Sequence, residues 1–182
     1  MSKSDLIQTL GAPTANQAGA YFISGNSGIL TAGTGSLGAA NAVSVHQFTL
    51  PVGYLIGHCT VVNATAQSGQ TATLGIYDNN KNKLIDSGTF SLTNGAPTAL
   101  KNSFAQVYLP AGTYYFAWSN TTAGLNSLDV LTNYGPWQTM FQNTQVPKEG
   151  TAANAASGGV LPSALGVVTP AGVNVPLCVW EF

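Results

Sequence analysis

The sequence contains no arginine, and only 6% of its 182 residues are charged, against about 25% in an ordinary soluble domain. Five lysines and six acidic residues leave a formal net charge of -1, and no charged residue occurs between Asp5 and Asp78. Binding to phosphates needs clustered Lys and Arg, so the composition argues against a nucleic-acid partner. A surface with so little charge has weak protection against association, which favours a protein covered by its neighbours.

Cysteine is equally scarce, because Cys59 and Cys178 are the only two and neither lies in a Cys-x-x-Cys motif. Free cysteine behaves as a small buried hydrophobe, so we interpret both as thiols on strands. A 59–178 disulfide is the alternative if the two strands are neighbours. No stretch has the length of a membrane span or of a signal-peptide core, so we expect a chain that is made in the cytoplasm, with no membrane partner.

Short runs of alternating, β-branched and aromatic residues dominate the chain after residue 42. They are "VSVHQFTL", "YLIGHCTVV", "TATLGIY", "LIDSGTFSL", "SFAQVYL" and the final "VNVPLCVWEF". Turn sequences such as "PVG" and "DNNKNK" separate them, and no helical pattern of 10–15 residues occurs. These features predict an all-β fold, an antiparallel β-sandwich or jelly-roll-like domain over residues 42–182, with a small-residue loop at 142–162.

Residues 1–41 have a different composition, rich in Gly, Ala, Ser and Thr. Such a segment buries little apolar surface by itself, so we predict an extended N-terminal arm that becomes ordered against a partner. Its larger apolar residues are the candidate partner-binding residues: Leu6, Tyr21, Phe22 and Ile23.

The stretch "LPAGTYYFAW" concentrates aromatic residues in one predicted strand. Its "PAG" turn predicts a positive φ at Gly112, which glycine adopts without steric cost. Alternation then directs Tyr114, Phe116 and Trp118 to one face of the strand, with Tyr115 on the other. We therefore expect the aromatic face to be core, with each tyrosine hydroxyl bonded to a partner or at a wet edge.

Two short motifs resemble ligand sites. "GTGSLG" at 33–38 matches the dinucleotide-binding pattern, but the preceding strand, the following helix and the acidic residue that this site requires are all missing, so we interpret it as a loop. Asp78, Asn80 and Asn82 have the spacing of calcium ligands, but Lys83 stands where such a loop needs glycine. We interpret them as a polar hairpin tip, with calcium binding as the alternative.

The sequence offers little for catalysis or for transition metals. His46 and His58 are the only histidines, and both fall on predicted strands, where hydrogen bonding is the default role. No Gly-x-Ser-x-Gly motif occurs, and the few acidic residues lie mostly in turns. We therefore expect no enzymatic activity, no cofactor and no metal site. A sugar-stacking platform is a further possibility, built from Trp118, Tyr134 and Trp137.

The stretches "LGIYDNNKNKLIDSGTFSL" and "VYLPAGTYYFAWSN" resemble β-sandwich domains from structural proteins of tailed bacteriophage virions. The resemblance covers about residues 43–120, and variants of "LPAGTYY" also occur in secreted bacterial β-domains. It extends to capsid decoration (cement) proteins, head fibres and tail-tip or receptor-binding proteins. The segments before residue 43 and after residue 120 match no family that we can name.

This resemblance implies a non-enzymatic virion protein that is commonly trimeric. Our first expectation is a capsid decoration protein on the virion surface, which binds the major capsid protein and stabilises the head. The alternative is a receptor-binding or adhesive tip that recognises host glycans.

Overall fold

The computed structural model describes residues 21–22, 31–34, 36–50, 52–93, 98–123, 128–132, 149–176 and 178–181. Within these ranges the chain is all-β and contains no helix. In chain order the strands are β1 (Tyr21–Phe22), β2 (Thr31–Thr34), β3 (Ser44–Leu50), β4 (Tyr54–Asn63), β5 (Thr71–Tyr77), β6 (Lys83–Ser91), β7 (Thr98–Leu109), β8 (Gly112–Asn120), β9 (Asp129–Thr132), β10 (Glu149–Ala152), β11 (Val168–Pro170), β12 (Val175–Pro176) and β13 (Cys178–Glu181).

Two main sheets pack face to face, which confirms the predicted β-sandwich. One has four strands in the order β1-β13-β4-β7, and the other has six in the order β11-β10-β3-β8-β5-β6. A smaller sheet has the order β12-β9-β2. All strand pairs in the three sheets are antiparallel.

The main core lies between the two large sheets, and the predicted aromatic face of β8 supplies its centre. Phe116, Trp118 and Trp180 of β13 are all 0% exposed. The Phe116 and Trp118 rings lie 5.1 Å apart, and Phe116 meets Trp180 edge to face at 6.3 Å. Burying one aromatic side chain contributes roughly 4–6 kcal/mol before conformational entropy is counted, so this cluster is a principal source of stability.

Both tyrosines of the "TYYFAW" strand have hydrogen-bond partners, as predicted. The Tyr114 hydroxyl donates to the carbonyl oxygen of Pro110 at 2.7 Å, which ties the strand to the turn before it. Burial raises the pKa of Tyr115, and a hydrogen bond with Gln47 partly offsets that shift. The prediction for Gly112 is wrong, since the glycines with positive φ are elsewhere in the described chain. Gly112 is already the first residue of β8.

A second core covers the opposite face of the six-stranded sheet. Tyr115 and Ala117 of β8 lie under a strip of chain, residues 153–167, that we call the cover segment; its apolar side chains include Leu161 and Leu165. The Tyr77 hydroxyl donates to a backbone carbonyl of this segment at 2.6 Å. Both faces of β8 are therefore buried.

Part of the predicted loop at 142–162 belongs to the sheet. Glu149–Ala152 form β10, which pairs with β3 on one side and β11 on the other. Gly150 explains how β11 fits so closely, because a Cβ there would lie 2.0 Å from the carbonyl oxygen of Thr169. The small residues that suggest a loop are those that let backbone approach backbone. Residues 142–148 lie outside the described residues.

The predicted N-terminal arm is described only in part. Tyr21–Phe22 form β1, which pairs with β13, and Thr31–Thr34 form β2, which pairs with β9. Leu37 is 2% exposed and belongs to the main core. The segment 36–41 is thus held to the sandwich by the Leu37 side chain and by a backbone hydrogen bond from Asn41 to Asn120, whereas 1–20 and 23–30 lie outside the described residues.

Candidate assembly surface

The outer face of the four-stranded sheet is the broad sheet face that the described residues leave accessible. On the six-stranded sheet the corresponding face lies under the cover segment. Side chains of the long strand β7 alternate between partly buried and exposed along most of its length, and β4 alternates beside it. The outward residues pair across these strands as Leu55–Tyr108, His58–Ser103, Thr60–Lys101 and Val62–Ala99.

Exposed apolar side chains lie at one end of this face and in the bend just before β4, and we call Val52, Leu55 and Tyr108 the apolar corner. Their exposed fractions are 47%, 37% and 63%. Leu55 and Tyr108 lie directly opposite each other on neighbouring strands, the arrangement in which side chains interact across a sheet. The Tyr108 ring also lies over Gly53, where a Cβ would meet its hydroxyl oxygen at 2.1 Å. Glycine at position 53 therefore leaves room for the hydroxyl end of the Tyr108 ring beside the backbone.

The middle of the face is polar and electrically neutral. Lys101 Nζ of β7 donates to Glu181 Oε2 of β13 at 2.6 Å, across the intervening strand β4. His58 Nδ1 and Ser103 Oγ are 2.8 Å apart, which confirms the hydrogen-bonding role expected for this histidine. One positive and one negative side chain cancel, so the face offers a partner little net charge and several hydrogen-bonding groups.

His46 contacts Glu149 in the interior. These residues face each other across β3 and β10, His46 Nδ1 lies 3.7 Å from Glu149 Oε2, and the side chains are 3% and 0% exposed. Glu149 Oε1 also accepts a hydrogen bond from the backbone N–H of Val173 at 3.3 Å. This pair could not be predicted from the sequence, because Glu149 stands in a polar stretch that is typical of a loop.

The predicted hairpin tip uses its acidic side chain to close the turn. Asp78 Oδ1 accepts from the backbone N–H of Asn82 at 2.9 Å, and Lys81 adopts a positive φ of 69°. The carboxylate that would bind calcium is therefore bonded within the turn. No group of three or more His, Cys, Asp or Glu side chains suited to a metal ion occurs among the described residues.

Residues of the dinucleotide-like motif at 33–38 belong to a strand and to the main core. The loop interpretation is wrong for Gly33 and Thr34, which end strand β2, and Leu37 is buried in the main core. No helix follows within residues 36–50, and β3 begins at Ser44.

The predicted partner-binding residues have different outcomes. Tyr21 and Phe22 lie opposite Trp180 and Val179 in the pairing of β1 with β13, at one edge of the four-stranded sheet. Leu6 and Ile23 lie outside the described residues.

Trp118 cannot be part of the predicted sugar-stacking platform. This side chain is 0% exposed and packs on Phe116 in the main core, so its ring face is not available to a sugar. The reason is the alternation of β8, which directs Trp118 inward together with Tyr114 and Phe116. Tyr134 and Trp137, the other two members, lie outside the described residues.

Sequence reasoning did not single out Leu55 or Tyr108. Alternation in "SFAQVYL" separates Val107 from Tyr108, but it does not show which face another layer will cover.

Comparison of the chain with known protein families and with curated proteins found no match. Across the described residues, no helix has the length and apolarity needed to cross a membrane.

Proposed function

We propose that the protein is a non-enzymatic structural protein of a bacteriophage virion, a decoration protein that binds the major capsid protein and stabilises the head. The observation that carries the proposal is the apolar corner, which lies on an accessible sheet face of a nearly uncharged chain. The resemblance to virion proteins supports it, because its two stretches correspond to β5–β6 and to the end of β7 with β8.

The apolar corner has the chemistry of an assembly contact. Exposed apolar side chains grouped on one face, with polar groups around them, are typical of protein interaction sites. Tyrosine is enriched in the centres of such interfaces, where it supplies apolar area and a polar hydroxyl group. Burial of Val52, Leu55 and Tyr108 would drive binding without ion pairs. Association should then weaken little as salt is raised.

Stabilisation of the head follows from mass action. A protein that binds the assembled shell and not its separated subunits shifts the equilibrium towards the shell. We propose that the protein acts as a homotrimer, so that each particle contacts several capsid subunits at once. The N-terminal contacts expected from Leu6 and Ile23 stay a prediction within this proposal.

A surface substitution with a matched control tests the proposal. We expect Tyr108→Ser to weaken binding to heads assembled without the protein by about tenfold or more, because interface tyrosines often contribute this much. The control is Val167→Ser, which alters an exposed apolar residue (71% exposed) on the cover segment instead. Co-sedimentation with heads measures the binding, and light scattering measures the number of copies per particle.

Two results would contradict the proposal. One is equal binding by Tyr108→Ser, Val167→Ser and the unaltered chain, since the apolar corner would then play no part. The other is absence of head binding together with glycan-array binding that Trp137→Ala abolishes. That result would establish the receptor-binding alternative.

A further inference from the structure

The two cysteines of the chain occupy neighbouring strands. Cys59 lies on β4 and Cys178 on β13, and these strands pair in antiparallel register. Cys59 is opposite Trp180, and Cys178 is opposite Val61, so the cysteines are diagonal neighbours. Residues two apart on a strand share a face. Both cysteines therefore face the main core, where they are 0% and 1% exposed.

The two side chains also contact each other. Burial, followed by a hydrogen bond with Cys178, raises the pKa of the Cys59 thiol. Both residues are free thiols in the structure. Diagonal neighbours in an antiparallel pair have Cα atoms about 7–8 Å apart, close to the upper limit of about 6.8 Å usual for a disulfide. Backbone movement of β13 relative to β4 is therefore needed to bring the sulfurs to bonding distance.

We propose that Cys59 and Cys178 form an intramolecular disulfide when the protein meets a small-molecule disulfide such as oxidised glutathione. One thiolate displaces a glutathione thiol from the reagent and forms a mixed disulfide. The second thiolate then attacks the protein sulfur of that mixed disulfide, which releases the other glutathione. The protein loses two electrons and two protons, and the reagent is reduced to two thiols.

Opening of β13 gives the reagent access to the thiols. The nucleophile is the thiolate, and burial disfavours it while β13 is in place. Separation of this four-residue strand from β4 hydrates both cysteines together. Once the bond forms, it joins β4 to the last strand and closes a loop of about 120 residues, a length at which cross-linking strongly restricts the unfolded chain.

The experiment incubates the full chain with oxidised glutathione, both in the folded state and during refolding from urea. We expect the intact mass to fall by about 2 Da, because two hydrogens are lost. Peptide mapping without reductant should give one cross-linked pair that contains Cys59 and Cys178. The melting temperature should rise by about 10 °C, as expected for a loop of this length in a chain of this size. Reduction should reverse the rise.

Single variants provide the matched controls. Cys59→Ala and Cys178→Ala should each take up one glutathione and give no intramolecular product. The proposal is overturned if the unaltered chain collects two glutathiones, forms disulfide-linked dimers, or retains two free thiols after refolding in the reagent. Because these outcomes are read on the unaltered chain, they stand even if a variant fails to fold.

Discussion

Replacement of Leu161 by alanine tests whether the cover segment seals the six-stranded sheet. Leu161 is 2% exposed and belongs to the second core with Tyr77 and Leu165. Its Cδ1 atom lies 2.7 Å from the position that a Cβ on Gly75 would occupy, so the side chain reaches the backbone of a central strand. The packing beneath it is therefore tight, and the strand backbone has little freedom to fill a cavity.

The expected loss of stability is about 3 kcal/mol. Buried leucine-to-alanine changes cost about 2–5 kcal/mol, with the larger values where the surroundings do not collapse. Strand backbone lines one side of this site, and the cover segment, which lines the other, has more freedom to move. The hydrogen bond from Lys83 Nζ to the Leu161 carbonyl oxygen, 2.8 Å long, does not depend on the leucine side chain. The loss therefore reports packing of the side chain.

Urea unfolding followed by tryptophan fluorescence measures the effect, and Leu84→Ala is the matched control. Leu84 is 39% exposed on β6, so the same chemical change there should cost less than about 1 kcal/mol. Equal losses for Leu161→Ala and Leu84→Ala would refute the reasoning. The six-stranded sheet would then also have an accessible apolar face, and the apolar corner would no longer be the distinctive surface.

Two further predictions use the same unfolding assay. Gly75→Ala should cost about 2 kcal/mol, because the new Cβ would lie 2.7 Å from a backbone carbonyl of β6 and from Leu161. Gly112→Ala should change the free energy of unfolding by no more than about 0.5 kcal/mol, because the nearest atoms to the new Cβ would be 3.6 Å away. Equal losses for Gly75→Ala and Gly112→Ala would contradict this packing. Burial raises the pKa of Tyr77, so the unfolded chain ionises first above about pH 10 and stability falls as pH rises. Tyr77→Phe should lower the free energy of unfolding by about 1 kcal/mol at pH 7. Between about pH 10 and 12 the stability of this variant should fall less steeply than that of the unaltered chain, and equal slopes for the two proteins would count against the raised pKa of Tyr77.

Local sequence patterns predicted much of the sandwich correctly. "TATLGIY" corresponds to β5 at Thr71–Tyr77, and "YLIGHCTVV" lies within β4 at Tyr54–Asn63. The hairpin tip after Tyr77 is also correct, because Asp78 and Asn82 close the turn through local hydrogen bonds. Such features depend on a few adjacent residues, which is why a single sequence reveals them.

The candidate surface was not predictable in the same way. The alternation of β7 places Val107 and Tyr108 on opposite faces, but only the pairing of whole sheets shows which face another layer covers. Sequence reasoning placed one face of β8 in the core, whereas the cover segment buries the other face as well. Contacts between β8 and that segment join residues more than thirty positions apart, and no local pattern encodes them.

The amino-acid order alone therefore accounts for the short strands, the turns between them and the poverty of surface charge. These properties follow from side-chain alternation, backbone preferences and composition, all of which are local. Sheet order placed Cys59 beside Cys178, brought Glu149 opposite His46 and left the apolar corner exposed. Each of these depends on strand register between distant parts of the chain, which forms only when the two sheets pack and bury a common core.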